Sequence, residues 1–277
     1  MTGFKADWLA LREPADHRAR NAGVANAVLG WFTLRDHISV VDLGSGTGSN
    51  LRATASLLPH RQVWTLVEND ADLNAAARPL LRAWADQSHA DGEALILTKG
   101  QAEITVHFKS LDVAKDPAAA IGASPDLVTA AAMFDLISAA YITRLAHEIA
   151  SRRAAFYSVL TYNGIERWSP HRPADGQVTA GFLRHQLRDK GFGPASGPMA
   201  AANLADQFRL NGYTVTEGDS SWQLAANDRL LIEEMLRGHA MAVLENKSVD
   251  AKTVENWVKV KRTGAIVGHT DTFAVPA

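Results

Sequence analysis

Cysteine is absent from the 277 residues. That gap removes disulfides, cysteine–zinc sites, iron–sulfur clusters and any thiol nucleophile, and it fits a reducing compartment. No stretch approaches the roughly 18 consecutive apolar residues of a membrane-spanning helix. The opening MTGFKADWLALREPAD carries charges where a secretory leader needs an apolar run. Like charges gather nowhere: 28 Lys and Arg stand against 30 Asp and Glu, a formal net charge of −2. A protein built for DNA or bulk RNA leaves a basic footprint, and none is visible. The expectation is a cytoplasmic protein with neither membrane nor nucleic acid as partner.

What is present suits a packed core, with 47% hydrophobic and 21% charged residues. The length allows one large α/β domain, or one with an appended subdomain. Residues 4–34 space Trp8, Leu9, Leu11, Val24, Val28, Leu29 and Phe32 for one helical face, with Pro14 opening a second helix. Short apolar runs then alternate with helical stretches. Strands are expected at 38–43, 62–67, 126–131 and 155–161, and helices after the glycines at 44–48, over 70–87 and over 135–150. Residues 94–109 alternate on both sides of Lys99-Gly100, a hairpin on the third strand. This alternation predicts a mostly parallel sheet covered on both faces. Residues 162–212 carry two Gly/Pro clusters, around 169–176 and 191–198, and break the pattern. They predict an insertion over the carboxyl ends of the strands, where ligands of open α/β sheets bind. The expected organisation is a helical segment, 1–37, packed on a domain, 38–277, that includes the 162–212 lid.

The chemistry is concentrated in Val41-Asp-Leu-Gly-Ser-Gly-Thr-Gly48, where a strand runs straight into three alternate glycines. A ligand lying across a strand-to-helix turn needs backbone free of Cβ atoms and donors at the helix start. The dinucleotide fingerprint asks for glycine at 49, where serine stands, and no Gly-Lys-Ser/Thr of a phosphate-binding loop follows.

The segment resembles motif I of class I S-adenosylmethionine (SAM) dependent methyltransferases, through Asp42, Gly44, Gly46 and Gly48. Further landmarks fall in the same order. Glu68 ends the second strand, where that family places a carboxylate on the ribose hydroxyls. Asp112 follows the third strand, where an acidic residue often stands near the adenine amino group. The resemblance implies a doubly wound, seven-stranded sheet completed by a strand near 270–275. It implies SAM as cofactor, S-adenosylhomocysteine as product, and a cofactor site of Asp42, Gly44, Ser45, Gly46, Gly48, Asn50, Glu68, Asn69, Asp112, Val113 and Met133. A carboxylate helix cap would explain Asp112 equally well.

For the acceptor, Phe134 and Tyr162 follow the fourth and fifth strands. Asp135 either touches substrate or caps the next helix. His185, His171 and His269 are candidate bases, because histidine alone titrates near working pH unperturbed. With Tyr162, His185 and His171 form the expected catalytic set; Arg12 and Arg20 are placed to fold over the cofactor. No metal is expected. The chain lacks the cysteine of carbon-5 pyrimidine methylation, and Ala131-Ala-Met-Phe134 stands where amino-group nucleic-acid methyltransferases carry their Pro-Pro motif. A small-molecule acceptor, methylated on oxygen, nitrogen or carbon, is the expectation. A non-catalytic SAM-binding scaffold is the alternative. The residues leave oligomeric state open.

Overall fold

The structure, a computed structural model, describes residues 5–277; the first four residues of the expected 1–37 segment lie outside the described residues. The strands are β1 (His37–Leu43), β2 (Arg61–Val67), β3 (Gln87–Asp91), β4 (Ala94–Lys99), β5 (Ala102–Lys109), β6 (Leu127–Ala131), β7 (Ala155–Ser169), β8 (Tyr213–Asp219), β9 (Trp222–Leu224) and β10 (Gly264–Pro276). They make one ten-stranded sheet in the order β3-β4-β5-β2-β1-β6-β7-β10-β8, with β9 paired to β10. The strands from β5 through β7 are parallel; β10 runs antiparallel to β7, β8 and β9. The expected seven-stranded sheet is therefore corrected to ten. The β3–β4 hairpin lengthens one edge and β9 adds a short ribbon, which leaves seven strands across the centre.

The helices are α1 (Ala6–Ala19), α2 (Ala22–Phe32), α3 (Ser49–Thr54), α4 (Ala71–Trp84), α5 (Pro117–Ile121), α6 (Ala139–Ser151), α7 (Asp175–Gln186), α8 (Ala200–Leu210), α9 (Arg229–Glu245) and α10 (Ala251–Val258). Alternation along the strands splits the core in two. Ile38 and Val40 of β1 and Trp64 and Leu66 of β2 face α2, with Val24, Val28 and Phe32. Val41, Leu43, Val67, Val128 and Phe156 face the other way, toward α6 and α8 through Tyr141, Ile142, Leu145, Leu204 and Phe208. A sheet buried on both faces reads as continuous apolar runs, which is why β1, β2 and β6 stand out in the sequence. Among the described residues no helix is long and apolar enough to cross a membrane.

The expected 162–212 insertion is not one excursion. Its first residues prolong β7 to Ser169, paired with the start of β10, because Tyr162 and Trp168 alternate into the core that α2 also seals. Its last residues form α8, which packs on α6 and β8. Only 170–199 leaves the sheet. The 191–198 cluster is also packed down: Ser196 N–H donates to the Ile137 carbonyl at 2.7 Å and Phe192 meets Tyr141 edge-on at 5.0 Å. β7 and β10 thus extend beyond the carboxyl ends of β1 and β6 as a two-stranded arm. With β9, α7, α9 and α10 the arm builds a lobe on that side of the sheet.

Candidate active site at the carboxyl edge of the sheet

Strand order reverses at β1, whose neighbours are β2 and β6, so the crevice where such sheets bind ligands opens at its carboxyl end. The three-glycine turn lies there. Gly44, Gly46 and Gly48 take φ of +62°, +53° and +76°, a region side chains disfavour. Beneath the turn, Asp42 is fully buried and accepts from Asn50 Nδ2 at 2.8 Å. Asn50 also donates to Thr129 Oγ1, and its Oδ1 accepts from Arg20 at 2.8 Å. Burial pushes the Asp42 carboxyl up to about 7, against the pull of the Asn50 bond and Arg20. Above it, Ser45 N–H donates to the Val67 carbonyl at 3.1 Å. Glu68 accepts from Gly46 N–H through Oε2 and from Asp70 N–H through Oε1, both at 2.9 Å. The carboxylate assigned to ribose by resemblance therefore also clamps the turn, with a second lone pair free on each oxygen.

The turn is lined by more than glycine. Met133 Sδ lies 3.0 Å from where a Cβ on Gly44 would stand, and Leu9 Cδ1 of α1 lies 3.0 Å from the same point on Gly46. Ser45 Oγ, Thr47 Oγ1, Asp42 Oδ2 and Asn74 Oδ1 are buried there without a hydrogen-bond partner. Such atoms each cost about 1–3 kcal/mol unless something satisfies them, so the surroundings suit a polar ligand rich in donors and acceptors. Asn69 is exposed and Val113 buried, the latter's carbonyl accepting from Tyr141 Oη. Asp112 accepts from Ala114 N–H at 3.0 Å and lies 3.5 Å from Lys115. It caps its own turn; the cap of α5 is Asp116.

Beyond Met133 comes Asp135, on the 3₁₀ turn Phe134–Leu136. It is no helix cap, since Ser138 caps α6 by accepting from Tyr141 N–H. Asp135 is buried, and burial pushes its carboxyl up to about 7 although Tyr162 N–H, Arg12 and Lys190 pull it down. His269 of β10 is buried too. Burial first, then Arg12, lowers it to about 3, so the ring is neutral, and its Nδ1 has no partner. The ring sits between Trp222 at 5.0 Å and Tyr162 at 6.1 Å. Arg12 of α1 lies over Trp222 at 5.1 Å and is bonded to Asp16 at 2.8 Å. A neutral imidazole, a carboxyl that ionises near neutrality and a guanidinium thus share one side of the crevice.

The expected catalytic set is not gathered there. Tyr162 Oη donates to Glu166 Oε1 at 2.9 Å; burial and that carboxylate push the phenol far up, so it serves as a fixed donor and not as a base. His171 lines a cavity of about 450 Å³ with Gly164, Ile165, Thr179 and Leu183, between β7 and α7. His185 turns to α9, its Nε2 3.2 Å from Glu245. Arg20 lies under the glycine turn, bonded to Asn50 and Thr54.

The reading of the residues missed Glu166 and His239. Glu166 Oε1 lies 2.8 Å from His239 Nε2, and Oε2 accepts from Thr179 Oγ1 at 3.2 Å. His239 Nδ1 faces the Met235 carbonyl at 2.7 Å, so both ring nitrogens lie against oxygen atoms. Burial raises Glu166, but the charge and bonds of His239, with Tyr162 and Thr179, outweigh it and leave the carboxylate below its ordinary range. It also missed Asp271, buried in β10 and accepting from Leu160 N–H at 2.8 Å and Asn21 N–H at 2.9 Å. Leu160 of β7, at φ +58°, and Ala132, just past the end of β6, at +51°, are strained residues at this edge, and such strain clusters at working sites.

No protein-family model matches the chain, and no curated protein resembles it. Solved structures do. A candidate methyltransferase from Bacillus halodurans C-125 superposes with a TM-score of 0.52 at 11% identity, over 92% of this chain and 100% of that one. The cyclopropane synthase MmaA2 of Mycobacterium tuberculosis gives 0.52 at 12% identity, over 98% and 94%. A magnesium protoporphyrin IX methyltransferase from Synechocystis PCC 6803, solved with bound SAH, superposes less closely, at 0.49 and 12% identity over 98% and 92%. At these identities the likeness establishes the fold, the one motif I implied.

Proposed function

We propose that the chain is a SAM-dependent methyltransferase acting on oxygen, nitrogen or carbon of a small molecule. The observation that carries this is the glycine turn: three left-handed glycines at the strand-order reversal, beside a cluster of buried polar atoms that no protein group satisfies. Asp42, Gly44, Ser45, Gly46, Gly48, Asn50, Glu68 and Met133 surround it and are the residues that would hold SAM; Asn69, Asp112 and Val113 complete the proposed set. When bound, SAM supplies an electrophilic methyl on a sulfonium, a leaving group that needs no acid. What remains for the protein is to position the acceptor, exclude water and, for a protic acceptor, take a proton. Asp135 suits the last task better than His185, His171 or Tyr162, while His269, lowered to about 3, is a weak base fit to accept a hydrogen bond beside it. Both are buried in the crevice, and the Asp135 carboxyl sits near neutrality, where a general base works best. Arg12 provides a charge that offsets ionised Asp135. The acceptor atom is part of the proposal only as the class oxygen, nitrogen or carbon.

A titration calorimetry experiment with S-adenosylhomocysteine tests the cofactor. Wild type is expected to bind, and Gly46→Val to lose binding while keeping the circular dichroism of the folded sheet. Affinity of Gly46→Val within threefold of wild type removes Gly46 from the site. No heat with wild type at millimolar ligand overturns the reading. One observation favours a non-catalytic SAM-binding scaffold: Leu9 packs on the turn. Binding with no turnover across a panel of protic acceptors would favour that alternative.

A further inference from the structure

Helix α1 crosses the glycine turn with little apolar hold of its own. Of its residues only Ala15 is buried, while Trp8, Leu9 and Leu11 are half-buried. Pro14 inside it removes one backbone hydrogen bond. Its attachments are polar and reach in two directions. Toward α3, Glu13 accepts from Arg52 Nε at 2.8 Å, and His17 Nε2 lies 3.0 Å from Ser49 Oγ. Toward the lobe, Asp16 accepts from Trp222 Nε1 at 3.0 Å, and Arg18 pairs with Asp228 at 2.6 Å. Water replaces the Arg18 contact at small cost, since that side chain is 55% exposed, whereas the Arg52 and Trp222 ends are buried and must be uncovered together when the helix lifts.

The junction that follows is held differently. Arg20 bonds Asn50 Oδ1 at 2.8 Å and Thr54 Oγ1 at 2.9 Å. Asn21 N–H donates to buried Asp271 at 2.9 Å, and its side chain donates to the Asp219 carbonyl at 2.9 Å. From there α2 is sealed by Val24, Val28 and Phe32. A loosely latched helix thus ends on an anchored pivot, and its far end carries Leu9 onto the one glycine that a ligand in the turn must approach.

We propose that α1 is a hinged strap: it swings about Arg20–Asn21, lifting Leu9 from Gly46 and parting Glu13 from Arg52, to admit a nucleoside-type ligand to the turn. The same movement brings or withdraws Arg12, so closure completes the acceptor side as well. This rests on the reading of the turn as a SAM site. Low local stability is the property expected of a binding-site cover, and a contact that a ligand must displace imposes an opening step on association.

The chain has no cysteine of its own, so the strap can be tethered cleanly. Glu13→Cys/Arg52→Cys is joined by a short, cleavable bis-thiol reagent, and S-adenosylhomocysteine association is followed by stopped flow before and after cleavage. The untethered double variant is expected to bind, the tethered form to associate at least tenfold more slowly, and cleavage to restore the rate. In the ligand-free wild type, amides of 9–19 should exchange faster than those of 24–32. Unchanged association in the tethered form overturns the strap and leaves the SAM reading standing. Absence of binding in wild type and untethered variant alike removes both.

Discussion

The central sheet and the lobe above it both bury apolar side chains, but the lobe adds ion pairs to them. In the sheet, β1, β2 and β6 bury Ile38, Val40, Trp64, Leu66, Leu127 and Val128, and specificity resides in volume and alternation. In the lobe, Trp168, Val178, Leu231, Met235, Val243 and Trp257 pack in the same way, and two buried acid–base pairs are set among them. Glu166 meets His239, and Asp175 accepts from Arg262 Nη2 at 2.6 Å and Trp257 Nε1 at 2.7 Å. Apolar packing tolerates exchange of shape for shape, whereas a buried ion pair fails when one partner is removed. The glycine turn sits between the two, framed by the rigid sheet and overlooked by a lobe whose parts are individually replaceable only in pairs.

The contrast can be broken by substitution. The largest effect is expected from Trp64→Ala, a loss of about 3–5 kcal/mol seen as a lower urea midpoint for the whole molecule. Glu166→Ala leaves the buried His239 ring without its carboxylate partner and should cost on the order of 3 kcal/mol. Its signature is local: amides of α7 and α9 lose exchange protection while those of β1 and β6 keep theirs. A Glu166→Leu/His239→Leu double variant should recover most of that loss. A double variant no better than the single would show that Glu166 and His239 are not coupled as a pair. The pH response pulls the two regions in opposite directions. Asp42, raised to about 7, gives stability that is complete below its unfolded value near 3.8 and is lost as pH rises to 7; the ceiling is about 4 kcal/mol. Glu166, lowered, gives stability present above an unfolded value of 4.5 and lost as pH falls through its folded value. Denaturation from pH 3 to pH 8 should therefore show Asp42→Asn flattening the neutral side and Glu166→Gln flattening the acid side. The smallest effect belongs to His185→Ala on the lobe's outer face. Its melting temperature should match wild type, and so should turnover, if the lobe's chemistry is internal. A large loss of turnover would return His185 to the site.

This contrast also explains which features were legible in the sequence. The sheet's centre was legible because β1, β2 and β6 are short apolar runs punctuated by glycine and proline, and the glycine turn because its requirement is local: five consecutive residues fix it. Glu166–His239 was hidden, since the partners stand 73 residues apart and each is unremarkable in its own segment. The alternation of Tyr162, Gly164, Glu166 and Trp168 was the available signal for a longer β7, but the Gly/Pro clusters around it favoured a loop. His185 misled because a helix's partner is a tertiary fact, and here α9 takes the side of α7 that the crevice was expected to take. Asp135 was read as a cap for want of seeing that Ser138 fills that place.

The antiparallel strand β10 imposes an order of events on the making of the molecule. It lies between β7 and β8, yet it follows both in the chain, after α9 and α10. Until synthesis passes residue 276, the emerging β7 has β6 on one side and a bare row of amides and carbonyls on the other, and β8 has no sheet to join. An unpaired, apolar strand edge is a template for pairing with other chains, and slow non-local closure prolongs that exposure. The nascent protein is therefore most exposed to aggregation in the interval before β10 emerges. A ribosome stalled short of β10 should display a half-built sheet that a chaperone recognises.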